Sequence, residues 1–234
     1  MKRVIICNVL LTSSVTTIAL LGLLFTVAAF GQDLAGTNAR PVRRIHGQTI
    51  FSQELPKVEL TIEKGFRFVG TQRVNLYGNA EAEQYLFVKV GPNRSVDRFY
   101  WVQFEHFLPT NSRTYDYDPK RTTEMGHLQF IYDVKSWPDY AAMQADDPAS
   151  DGAAIERLLA KQNLSFPHET VRVRMFHLPS ADRRSELMII YGEALPQDAA
   201  VPVRQGGVDL DTESPGSAKK FLEHARQGLV VQTR

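Results

Sequence analysis

From residue 58 onward the chain reads as strand-length apolar runs separated by Gly, Pro and Asn. Residues 58–62 alternate apolar and polar, and two further runs, 66–69 and 74–77, lie on either side of Gly70. Residues 83–90 lead through Gly91-Pro92-Asn93-Arg94 into the longest run, SVDRFYWVQFEHFL, at 95–108. Strand side chains alternate between faces, so Phe99, Trp101, Gln103, Glu105 and Phe107 share one face of this run. Tyr100, Val102, Phe104, His106 and Leu108 share the other. Both faces are largely apolar, which predicts a central strand covered on both sides. The short connection at 91–94 predicts a hairpin with the preceding strand. Setting Val90 opposite Ser95 places Gln84 opposite Trp101 and Ala82 opposite Gln103.

Leu108-Pro109 ends the run, since proline cannot continue a ladder. A polar loop is expected over 110–124 and a further strand over 126–134. Ser150 or Asp151 then caps a short helix with Ile155, Leu158, Leu159 and Gln162 on one side and Asn163 at its end. Strands follow at 171–178 and 186–195, then a mobile polar loop over 197–214. The spacing of Ala218, Phe221, Leu222 and Ala225 predicts a last helix over 217–227, stopped by Gly228. The fold class this predicts is α+β, a mainly antiparallel sheet with two short helices late in the chain. A closed, barrel-like sheet is the alternative; an open sheet is preferred because the helices need a face on which to dock.

The first thirty residues follow a different pattern. Lys2 and Arg3 are the only charges before Asp33, an apolar core occupies 18–30, and small residues surround its end. Basic start, apolar core and small-residue exit predict a secretory signal peptide over 1–31. An uncleaved membrane anchor is the alternative, because the segment is long enough to span a bilayer. Residues 32–56, polar and carrying Arg40, Arg43, Arg44 and His46, read as a linker, and 57–234 as a single domain. Either reading puts the body outside the cytoplasm, secreted or periplasmic, or anchored and extracytoplasmic.

Composition then removes several kinds of chemistry. The one cysteine, Cys7, lies in the expected export segment, which leaves the body without a disulfide, a thiol nucleophile or a thiolate metal site. The chain carries 27 Lys and Arg against 26 Asp and Glu. Such a balance does not favour nucleic acid or an anionic membrane as a partner held by bulk charge. Membrane contact is expected only through an uncleaved N-terminus. No zinc-protease signature, nucleophile elbow, phosphate-binding glycine loop or calcium loop occurs.

Gln103 and Glu105 are the oddity of the central run, since a buried carboxylate must be paired or hydrogen-bonded. With Trp101 on the same face and Gln84 on the neighbouring strand, they have the composition of a small-ligand site. Tyr115 and Tyr117 in the following loop add rings on which a ligand could stack. The competing account pairs Glu105 with Arg172 or Arg174. His106, His127, His168 and His177 lack helical or strand spacing for a metal site, and no metal or other cofactor is expected. The leading expectation is therefore a non-catalytic domain that binds a small molecule or a protein partner. A secreted or periplasmic hydrolase using Glu105, helped by His106 or His127, is the second reading, and a membrane-anchored envelope protein the third.

Overall fold

Residues 41–139, 147–196 and 198–233 are described by a computed structural model. The segment read as signal peptide or anchor lies outside them. Among the described residues, no helix is long and apolar enough to cross a membrane.

The first two strands are β1 (Arg44–His46) and β2 (Thr49–Ser52), followed by β3 (Val58–Ile62). They form a four-stranded antiparallel sheet, ordered β1-β2-β3-β12, with β12 (Leu229–Thr233) from the far end of the chain. Part of the expected linker is thus folded. The reason is visible in β2, a strand of only four residues in which Ile50 and Ser52 are buried and Thr49 and Phe51 half-buried, too short an alternation to stand out among polar neighbours.

The larger, eight-stranded sheet contains β4 (Arg67–Leu76), β5 (Ala80–Val90), β6 (Val96–Phe107), β7 (Thr122–Met125), β8 (Leu128–Trp137), β9 (Thr170–His177), β10 (Ser185–Ala194) and β11 (Val208–Asp209). Its order is β11-β8-β9-β10-β6-β5-β4, with β7 also paired to β8, and each pairing is antiparallel. The two runs flanking Gly70 are one strand, because a bulge between Phe68 and Gly70 absorbs the interruption. The 197–214 stretch, expected as a mobile loop, contributes β11 and a one-turn helix α2 (Leu210–Glu213). It is fastened by Val208 and Leu210, which are fully buried. The sheets are open, and the class is α+β.

β6 lies inside the large sheet, between β5 and β10, as its two apolar faces require. Its inner face, with Tyr100, Val102 and Phe104, packs against Ile50, Leu60 and Ile62 of the small sheet. Helix α3 (Pro215–Gln227) adds Ala218, Phe221 and Ala225 to the same core. The Tyr100 hydroxyl donates to the carbonyl of Ala225 at 2.8 Å, satisfying an acceptor at the helix end. The outer face, with Phe99 and Trp101, is covered by helix α1 (Asp151–Ala160) through Ile155, Leu158 and Leu159. Ser150 caps α1 by accepting from the Ala153 amide, and Asn163 beyond its end takes a left-handed conformation.

The predicted β5–β6 hairpin forms, but its register differs by two residues. Gln84 faces Gln103, Ala82 faces Glu105 and Leu86 faces Trp101. All of residues 91–95 are consumed by the turn, which closes with Gly91 N–H donating to the Ser95 carbonyl at 2.8 Å. Asn93 and Arg94 both adopt positive φ within it, and the ladder is irregular at Lys89 and Val90. A two-residue shift leaves every side chain on its predicted face.

Candidate binding site on the outer face

The register places polar side chains of three adjacent strands side by side on the outer face. Gln72 of β4 donates to Gln84 Oε1 at 2.7 Å, and Gln84 donates to Gln103 Oε1 at 2.8 Å. Trp101 Nε1 donates to the same Gln103 oxygen at 3.1 Å. With its oxygen engaged twice, Gln103 must turn its amide nitrogen the other way. There it donates to Glu105 Oε2 at 2.6 Å and to Asp151 Oδ2 at 3.4 Å. Trp101, Gln84 and Gln103 are buried, and the network satisfies them from within.

The loop after β6 supplies the next layer. Tyr115 and Tyr117 are two residues apart, so extended backbone turns both rings toward the sheet. The Tyr115 hydroxyl donates to Glu105 Oε1 at 2.8 Å, and that of Tyr117 to Glu186 Oε2 at 2.5 Å. Phe107, Tyr115, Tyr117 and Phe176 form a column of near-parallel rings across β6 to β9, with successive centroids 4.5, 6.3 and 4.2 Å apart. The loop is tied to the β9–β10 turn by the Tyr115 amide on the Arg183 carbonyl, and by Arg183 Nε on the Tyr115 carbonyl, both at 2.8 Å. The six residues singled out in the sequence, Trp101, Gln103, Glu105, Gln84, Tyr115 and Tyr117, therefore gather at one place.

Two carboxyls missed by the sequence reading complete the group. Glu186 is the direct cross-strand neighbour of Glu105, and Asp151 is the first residue of α1. Opposite residues of an antiparallel pair have Cβ atoms about 4.5–5.5 Å apart, so two acids here repel when both are ionised. Burial pushes Glu186 up to about 8, with the Glu105 charge adding to it, while the Tyr117 hydrogen bond works the other way. Burial also raises Glu105, against the opposing hydrogen bonds from Tyr115 and Gln103, and it raises Asp151. Glu186 could have been found from parity in its strand, because it shares a face with Met188 and Ile190.

The expected alternative pairing of Glu105 with an arginine does not occur with Arg174. That guanidinium is taken by Asp133, with Nε 2.9 Å from Oδ1. Nor do the histidines converge on Glu105. His106 points to the inner side, 3.9 Å from Glu81, and His127 stands exposed in the β7–β8 turn. His168 lies 3.3 Å from Asp139, and His177 Nδ1 lies 3.0 Å from the Gln129 carbonyl. Among the described residues, no group of three His, Cys, Asp or Glu side chains is disposed to hold a metal.

The network meets solvent at its β8–β9 end. Tyr117 and Phe176 form one wall of a cleft of 330 Å³ whose lining includes Ile131, Asp133, Lys120, Arg121 and Lys135. Arg121 is engaged by Asp209 and Asp211, and Lys120 by Asp118. Lys135 projects from the outer face in register with Arg172 and makes no ion pair among the described residues. An aromatic wall, an ion-paired floor and a spare cation suit recognition of a small polar molecule. No protein-family profile, curated protein or solved structure matches this chain. Its class rests on its own architecture: an open α+β body with a buried amide–carboxyl network beneath an aromatic column.

Proposed function

We propose that this is an exported, non-catalytic binding domain that takes a small polar ligand in the cleft between Tyr117 and β8. The observation that carries the reading is the double role of Tyr117. Its ring lines the cleft while its hydroxyl is fixed by Glu186, so the recognition surface is held rigid by the network beneath it. A ring held in place loses little freedom when a ligand stacks on it, which favours binding. In this reading Trp101, Gln84, Gln103, Glu105 and Tyr115 support the site from below, and Lys135 supplies charge for an acidic group of the ligand.

Native mass spectrometry of the protein purified from its own host tests this. The expected result is a mass above that of the denatured chain, lost in a Tyr117→Leu, Lys135→Ala double variant. The same adduct on the double variant overturns the placement. Apo protein that also fails to bind any of a panel of small carboxylates and sugars overturns the binding reading itself. The denatured mass reports whether residues 1–31 are removed, which separates an exported domain from an anchored one.

The hydrolase reading has one observation in its favour. The Glu105–Glu186 pair joins a carboxyl that holds its proton near neutrality to a neighbour that is half-buried, a combination used in acid–base chemistry. In that reading Glu186 replaces histidine as the partner of Glu105. Turnover of chromogenic glycosides or esters by the wild type, abolished in Glu105→Gln, would move the assignment there.

A further inference from the structure

A second cleft, of 600 Å³, opens on the β4–β5 side of the outer face, across the sheet from Lys135 of β8, between the β5–β6 turn and the segment after α1. Its floor is apolar, formed by Val88, Leu164 and Val90, the last 44% exposed. Its rim carries two guanidinium groups, Arg67 and Arg94, together with the carboxamides of Gln162 and Asn163. Among the described residues neither arginine makes a hydrogen bond or an ion pair through its side chain, and no carboxylate lines the cleft. The clefts at Glu81 and Glu83, at Asp133 and Asp209, and at Glu124 and Glu223 all hold acids beside their cations. Nearby Lys89 is likewise occupied, by Glu63 at 2.5 Å.

The backbone around the two walls is held in place. Arg94 has φ 61° and follows Asn93 at φ 57°, so two successive residues with side chains occupy the left-handed region. Such a conformation costs on the order of 1–3 kcal/mol per residue and persists only where the surroundings enforce it. Here a short parallel bridge enforces it: the Val96 amide donates to the Ser165 carbonyl at 2.9 Å, and the Ser165 amide to the Arg94 carbonyl at 3.4 Å. The wall bearing Arg94 is thereby locked to the wall bearing Asn163 and Leu164, and the cleft is formed before any ligand arrives.

We infer that this cleft is a binding site for an amphipathic organic anion, distinct from the Tyr117 cleft and independent of its function. The anionic head lies between Arg67 and Arg94, where planar guanidinium groups make paired, charge-assisted hydrogen bonds to a carboxylate or phosphate. Gln162 and Asn163 supply further donors. The apolar body covers Val88, Val90 and Leu164, removing the exposed valine from water.

Isothermal titration of the purified protein with hexyl phosphate, hexanoate and inorganic phosphate tests the inference. Hexyl phosphate or hexanoate is expected to bind, inorganic phosphate more weakly, and added salt to reduce the affinity. Arg67→Gln and Arg94→Gln are each expected to weaken binding roughly tenfold, about 1.4 kcal/mol. Both positions are solvent-exposed, so an unchanged melting temperature accompanies the loss. Equal affinity for inorganic phosphate overturns the apolar part of the site. Absence of binding by all three probes, or unchanged binding in the double variant, overturns the site altogether.

Discussion

Glu186, buried and directly opposite Glu105, makes stability depend on pH. Its folded-state pKa of about 8 lies well above the ordinary value of 4.5. Below the ordinary value the carboxyl is protonated in both folded and unfolded chains, and its contribution is fully present. As pH rises toward 8 the unfolded chain releases the proton while the folded chain keeps it, so stability falls through that window. Glu105 and Asp151, also raised, act in the same direction. Glu186→Gln should therefore leave stability at pH 5 nearly unchanged and raise it at pH 8, on the order of a few kcal/mol. Urea unfolding of both proteins across this range measures it; a variant less stable than wild type at pH 8 would refute the account. At this scale, strand parity was enough to read Gln103 and Glu105 from the sequence. Parity also marked Glu186 on its own strand but not its pairing with Glu105, and Asp151 was not readable as a partner at all, because each meets the site through a contact distant in sequence.

At the scale of the elements, the strands were legible wherever apolar side chains alternate or run together, and the caps of α1 and α3 followed from Ser150 and Gly228. Registers were not, since they depend on how many residues a turn consumes. The β7–β8 hairpin shows the same limit. Its two-residue turn, Gly126-His127, has positive φ at both positions, which matches strand twist, yet His127 is an uncommon residue there. Close packing between strands was equally hidden. Gly192 of β10 sits opposite Phe99 of β6, and a β-carbon at Gly192 would lie 2.0 Å from the Phe99 ring. The ring thus occupies the space that a side chain would take. Gly192→Ala is expected to destabilise the protein by about 1–3 kcal/mol, the usual cost of overpacking. Phe99→Leu in the Gly192→Ala background should recover part of that loss, although Phe99→Leu alone is destabilising. A double-mutant cycle by chemical denaturation checks it, and strict additivity would show that the ring and the glycine are not coupled.

For the molecule as a whole, the decisive feature is that both ends of the body meet in one small sheet. β3 pairs with β2 on one side and β12 on the other, so the strands at 44–52 and 229–233 close over the inner face of the large sheet together. Composition concealed this, because polar residues, Pro41 and a cluster of basic side chains make 32–56 resemble a linker. One member of that cluster is a structural anchor. Arg43 is nearly buried, with Nη1 2.8 Å from Glu83 Oε2, Nε 3.0 Å from Ser52 Oγ and Nη2 3.1 Å from the Leu55 carbonyl. Its guanidinium also lies 3.8 Å above the Phe104 ring. Removing one partner of a buried ion pair leaves the other charge uncompensated and costs about 3–5 kcal/mol. A chain beginning at residue 57 loses this pair and two strands of the inner cover, exposing Leu60 and Phe104 to water. A chain beginning at residue 41 keeps them all. The expected outcome is cooperative thermal unfolding of the 41–234 chain, close to that of the 234-residue chain, and dye-binding, non-cooperative melting or aggregation of the 57–234 chain. Arg43→Met in the longer chain should fall between the two. Equal cooperative melting of both truncated chains would mean that β1, β2 and Arg43 decorate the core without holding it.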